Sequence, residues 1–172
     1  MLHNPDFTKS VIEFSKRGIK TPIPYSKHSI DRSDIDSVLD CLENRPITQG
    51  NLVHELETNI SKKLGCIGSV ASNSATSSLH LACLALNVQK GDMVWTTPIS
   101  FVASANAALM CGAKVDFVDV NSETGNLCPD FLEQKVNIAK KNNTLPKVLI
   151  VVHFSGRPCE MQIISKICQK HQ

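Results

Sequence analysis

KGDMVWTTPISFVASANAALMCGAKVDFVDV, residues 90 to 120, holds two short apolar segments on either side of a longer run of small residues. Residues 93–97 and 114–120 have the length and apolar content of strands, and residues 101–111 have the length of a helix, so the spacing predicts strand, helix, strand. The same alternation continues in both directions. Upstream, a strand is expected near 67–71 and a helix over 75–86. Downstream, a helix over 129–140, a strand over 147–153 and a helix over 160–170 follow. A series of this kind requires an α/β fold, a mostly parallel sheet with helices on both faces joined by right-handed crossovers. KVLIVVHF (147–154), apolar on both alternating faces, fits a central strand buried on both sides.

Two further helices precede the series. In DRSDIDSVLDCLEN (31–44), Ile35, Val38, Leu39 and Leu42 share one helical face. In GNLVHELETNISKKLG (50–65), Leu52, Val53, Leu56, Ile60 and Leu64 do the same, with Gly65 as the expected C-cap. Residues 1–24 contain Pro5, Pro22 and Pro24 with little patterning and read as an N-terminal arm, leaving 25–172 as the folded portion.

The bulk properties narrow the function. The 172 residues are 42% hydrophobic and 20% charged, which suits a globular domain with a sizeable core. Eighteen Lys and Arg against sixteen Asp and Glu leave a net charge of +2 with no basic cluster, so no nucleic-acid footprint is expected. No apolar run approaches the length of about 18 residues that spans a bilayer, and the first twenty residues lack a signal-peptide core, so a soluble, cytoplasmic protein is expected. Seven cysteines without CxxC spacing read as reduced core thiols, with no metal site.

The chemistry concentrates at VASNSATSSLHLACLALN (70–87), where Ser72, Asn73, Ser74, Thr76, Ser77 and Ser78 crowd the mouth of the predicted helix 75–86. Helix amino ends carry unpartnered N–H groups and positive potential, and in parallel α/β sheets they face the crevice at the strands' carboxyl ends. A phosphate suits such a place, held by the Ala75 and Thr76 amides and the Thr76 hydroxyl. The plainer reading makes Ser74 an N-cap and the other hydroxyls packing residues. GxGxxG and GxxxxGK[ST] are both absent. Phe101, in the first turn of the next helix, reads by itself as a core residue, or as a ring lying against a planar cofactor. His153 reads as a strand-end histidine within approach of the site, and His80 as structural.

The succession GNLVHELETNISKKLG, NSATSSLHLACLAL, KGDMVWTTPISFVASANAALMCGAKVDFVDV and VVHFSGRPCEM resembles the DegT/DnrJ/EryC1/StrS family of pyridoxal-phosphate-dependent nucleotide-sugar aminotransferases, from about Ile23 onward. Most of that family carry Ser-Gly-Thr-Ala-Ala-Leu where this chain has Ser74-Ala75-Thr76-Ser77-Ser78-Leu79. The Asn-Ser-Ala-Thr version, with PYS at 24–26 and ITQG at 47–50, is similar to the branch that makes pseudaminic acid precursors.

The resemblance implies the N-terminal portion of a fold-type I large domain. In it Ala75 and Thr76 take the phosphate of pyridoxal 5′-phosphate and Phe101 stacks on its ring. Tyr25, Arg45, Pro46, Ile47 and Thr48 fall where the branch holds its sugar nucleotide. The family's Schiff-base lysine and its ring-nitrogen aspartate lie past the last residue, so no catalytic residue is assigned. The implied reaction of the intact enzyme, a homodimer, moves an amino group from glutamate to a UDP-linked 4-keto-6-deoxy sugar. The alternative is a non-catalytic phosphate or nucleotide-sugar binding fragment, or one half of a split enzyme.

Overall fold

A computed structural model describes residues 26–171. The expected arm over 1–24, and Tyr25 with it, lies outside them. The chain divides into two units, Met1–Leu52 and Val53–Gln172.

In the first unit, α1 (Arg32–Asn44) opens with a reciprocal cap. The Asp31 carboxylate accepts from the Ser33 and Asp34 amides, and the Asp34 carboxylate accepts from the Asp31 amide at 2.9 Å. Both orphan donors are thereby satisfied. The Ser33 hydroxyl and these amides hold the Asp31 carboxyl below its ordinary value. The stripe Ile35, Val38, Leu39 and Leu42 is exposed.

The second unit begins at the start of α2 (Leu52–Leu64), which ends on Gly65 at φ +65°, the left-handed position a glycine takes without cost. Next come α3 (Ala75–Ala85), β1 (Met93–Thr96), α4 (Ala103–Met110), β2 (Lys114–Phe117), α5 (Pro129–Lys141), β3 (Val148–Leu149) and α6 (Met161–Lys170). The strands form a parallel sheet in the order β2-β1-β3, with Val94 opposite both Val115 and Val148.

Alternation along β1 divides the core. Val94 points into a cluster with Cys83 of α3 and Ala107 and Ala108 of α4. Trp95 points the other way, into a cluster with Leu132 and Val136 of α5 and Ile164 and Ile167 of α6. Helices therefore cover both faces, as the strand periodicity requires. The small Ala107 and Ala108 let α4 sit close to the sheet, and both have no exposed surface.

Two sequence expectations need correction. Residues 67–71 form no strand, because the segment is tied to α2 instead of to a ladder. The Ser69 hydroxyl donates to the Glu57 carbonyl at 2.6 Å and the Ala71 amide to the Glu57 carboxylate at 2.9 Å. The 147–154 run is not central either. β1 is the central strand among those described, and Val148 to Val152 are half-buried. The β3 ladder is short: the Ile150 amide still donates to the Trp95 carbonyl, but the Ile150 carbonyl takes the Thr96 hydroxyl in place of a backbone amide.

Cysteines follow burial only in part. Cys83 and Cys159 are buried, and desolvation pushes both thiols above their ordinary value. Cys66 departs from the core expectation. It is exposed, because it follows the Gly65 turn out of α2.

Candidate functional site

The carboxyl ends of β1 and β3 and the amino ends of α3 and α4 meet around one cavity of about 360 Å³. Ala75 and Thr76 line it from α3, Phe101 and Ser104 from the start of α4, and His153 and Ser155 from the turn after β3.

At α3 the serines largely satisfy one another. The Ser74 hydroxyl accepts the Ser77 amide at 3.1 Å and lies 3.0 Å from the Ser77 hydroxyl. The Ser72 hydroxyl donates to the Ser74 carbonyl at 2.9 Å and lies 2.6 Å from the Ser78 hydroxyl. The Ser78 amide takes the Ser74 carbonyl at 3.0 Å. What remains is a short list of donors. The amides of Ala75 and Thr76 and the Thr76 hydroxyl bond to no described residue. Capping therefore leaves donors over: Ser74 closes the helix, and the next two residues keep theirs.

The electrostatics agree. Neither α3 nor α4 has an acidic residue in its first turn, so the positive potential of both amino ends reaches the cavity without a neutralising carboxylate. Phe101 is 76% exposed, which overturns its reading as a core residue. The turn holds it there. The Ser100 hydroxyl donates to the Phe101 carbonyl at 3.3 Å and pairs with the Ser104 hydroxyl at 2.9 Å, and the Ser104 amide takes the Phe101 carbonyl at 3.1 Å.

On the β3 side, His153 Nδ1 accepts the Cys159 amide at 3.1 Å. Ser155 follows at φ 52°, a left-handed conformation uncommon for a serine and found more often beside functional sites. The turn is clamped by Asn126, which sequence reasoning missed. Its carboxamide Oδ1 accepts the Phe154 amide at 2.9 Å, and Nδ2 donates to the carbonyls of Arg157 and Pro158 at 3.0 and 3.2 Å. Only the Gly125-Asn126 pair, a turn signal, marked the place. Gly125, at φ +70°, is also where an added Cβ meets the Phe154 ring at 2.8 Å.

The structure thus brings together Ala75, Thr76, Phe101 and His153. Arg45, Pro46, Ile47 and Thr48 belong to the first unit, where Arg45 Nε donates to the Asp40 carboxylate at 2.7 Å and holds that carboxyl below its ordinary value. Tyr25 is outside the described residues. Among the described residues, no group of three or more His, Cys, Asp or Glu side chains is placed to hold a metal ion.

A cavity with unspent amides at one helix start and an exposed aromatic ring at the next suits a planar, phosphate-bearing group. The sequence pattern of the DegT/DnrJ/EryC1/StrS aminotransferase family matches residues 28–172. The chain belongs to that family. Over 149 residues it is 41% identical to the UDP-4-amino-4,6-dideoxy-N-acetyl-beta-L-altrosamine transaminase of Campylobacter jejuni, covering 87% of this chain and 38% of that protein. Among solved structures, Helicobacter pylori PseC, an aminotransferase involved in the biosynthesis of pseudoaminic acid, shares 30% identity and a TM-score of 0.76 over 88% of this chain and 39% of its own. The PLP form of a sugar aminotransferase from Streptococcus pneumoniae shares 29% identity and a TM-score of 0.75, over 87% and 37%. The chain therefore spans less than two fifths of the relatives it matches. Its fold is the corresponding part of a fold-type I aminotransferase domain.

Proposed function

We propose that this chain forms the phosphate-binding wall of a pyridoxal 5′-phosphate-dependent aminotransferase that acts on a UDP-linked 4-keto-6-deoxy sugar with glutamate as amino donor. The observation that carries the reading is the pair of unspent amides at Ala75 and Thr76, opening on the same cavity as the exposed Phe101 ring. When bound, the cofactor supplies an electron-accepting ring that relays the amino group between donor and acceptor.

The chain's own residues bind and orient it. The Ala75 and Thr76 amides and the Thr76 hydroxyl donate to its phosphate, and bonds to a charged acceptor are roughly twice as strong as neutral ones. Alanine at 75 costs nothing, since a residue with helical backbone angles offers its amide whether or not it has a Cβ. Phe101 lies against the ring, a contact worth about 0.5–1.5 kcal/mol beyond burial. Tyr25, Arg45, Pro46, Ile47 and Thr48 bind the sugar nucleotide. Support comes from the PYS and ITQG motifs and from the identity with the Campylobacter transaminase, whose name states its sugar.

The enzyme works as a homodimer in the cytoplasm, without nucleic acid or membrane. The apolar stripe left exposed on α1 suits burial in a subunit contact. Among the described residues no helix is long and apolar enough to cross a membrane, and the net charge is +2 with the basic residues scattered along the sequence.

The test is a titration with pyridoxamine 5′-phosphate, which has the same ring and phosphate without an aldehyde to label surface lysines. Thr76→Val weakens binding by about 1.5–3 kcal/mol, the scale of a lost hydrogen bond to a charged group. Equal affinity for wild type and variant rejects the assignment and returns Thr76 to a packing role.

A further inference from the structure

We infer that His153 contributes an Nε2–H donor, in a tautomer fixed by the fold, to an oxygen of the cofactor in the cavity. The inference rests on the cofactor reading above and adds a residue to it. A neutral imidazole has one N–H and one acceptor nitrogen, and the hydrogen bond made by one nitrogen decides which carries the proton. Here Nδ1 accepts the Cys159 amide at 3.1 Å, so the proton resides on Nε2.

That amide is a dependable partner. Cys159 is buried, its Sγ donates to the Val152 carbonyl at 3.1 Å, and it starts the turn into α6, where the Met161 amide takes the Cys159 carbonyl at 2.7 Å. The His153 carbonyl is also engaged, accepting the Gly156 amide at 3.1 Å. The ring is therefore held through Nδ1 and the backbone through its carbonyl, while Asn126 fixes the residues that follow. His153 lines the cavity, and among the described residues no hydrogen bond engages Nε2. A donor-only nitrogen on a side chain that lines a cavity suited to an anion favours an oxygen acceptor over a cation or a donor group. The fold has also set that donor before any occupant arrives, which is the preorganisation a binding group needs.

The test reads the histidine directly. Long-range proton–nitrogen correlation on the chain assigns the tautomer. Protonated Nε2 and unprotonated Nδ1 are expected in the free chain, and pyridoxamine 5′-phosphate shifts the Nε2 resonances without disturbing Nδ1. His153→Phe weakens binding of the same probe by about 3- to 10-fold, the scale of one neutral hydrogen bond, while His153→Gln, which keeps an N–H, stays within about 2-fold of wild type. An Nδ1–H tautomer overturns the inference. So does an Nε2 resonance that stays still while the Thr76 and Phe101 amides shift with the probe, an outcome that leaves the cofactor reading intact. So does a His153→Gln variant as weak as His153→Phe. If neither the Thr76 and Phe101 amides nor His153 respond, the cofactor reading itself fails and takes the inference with it.

Discussion

Asn126 holds Phe154: the carboxamide Oδ1 accepts the Phe154 amide at 2.9 Å across 28 residues of chain. Through Nδ2 the same side chain donates to the Arg157 and Pro158 carbonyls, so three hydrogen bonds from one residue that is 5% exposed shape the turn between β3 and α6. Asn126→Ala removes all three and leaves backbone groups unpaired, for an expected loss of about 2–3 kcal/mol of stability. Asn126→Asp keeps the acceptor and loses both donors. It is expected to be no better than alanine, because two carbonyls then face a buried carboxylate. Urea unfolding of the three proteins checks the order. A loss under about 0.5 kcal/mol for Asn126→Ala, the scale of an ordinary surface change, shows that the clamp is unimportant.

Acid sensitivity is expected at the opposite end of the sheet. Asp92 accepts from Lys147 Nζ at 2.9 Å and from the Gln89 amide at 2.9 Å, and these bonds hold its carboxyl below the ordinary 3.8. A carboxyl whose folded-state value is depressed binds its proton more tightly in the unfolded chain. Its stabilisation is therefore complete above the ordinary value and is lost as the pH falls from there through the lowered one. Urea midpoints for wild type and Asp92→Asn should differ at pH about 6 and converge toward pH about 3. A gap that stays constant across that range removes the link to this carboxyl.

The sugar assignment makes a separate demand. Thr48→Ala should weaken binding of a UDP-sugar by about 2- to 10-fold, one neutral hydrogen bond, and leave pyridoxamine 5′-phosphate affinity unchanged. Calorimetric titration of each ligand separates the two. Unchanged sugar affinity removes Thr48 from the sugar site, and a parallel loss of both points to unfolding.

How much of this was legible in the sequence follows from the range of the interactions. Helix α5 is written in local periodicity, helix α3 and strand β1 in the length and apolar content of their runs, and Ser74 and Gly65 in local capping rules, so each could be read from neighbouring residues. The length of β3 could not, because its ladder ends where the Thr96 hydroxyl, 54 residues earlier, takes the Ile150 carbonyl. The 67–71 segment failed for a similar reason. Its apolar content suits a strand, but Glu57 of α2 takes its backbone and side-chain donors. At the site, the Ala75 and Thr76 donors and the Phe101 ring were visible as motifs, whereas Asn126 was not, since an asparagine after a glycine signals only a turn and its partners lie about thirty residues away. The tautomer of His153 was equally invisible, being set by an amide six residues on in a turn of unusual backbone geometry.

Whether the start of α3 is a cup for a phosphate and more than a capped helix end is decided at Ala75. Ala75→Leu places bulk beside the two unspent amides while leaving Ser74 to cap the helix, and leucine is nearly as good a helix former as alanine. Circular dichroism together with a pyridoxamine 5′-phosphate titration measures both properties on one sample. A phosphate cup gives unchanged helix content and binding weakened by at least about tenfold, the factor that corresponds to 1.4 kcal/mol. Wild-type affinity in a folded Ala75→Leu chain contradicts it.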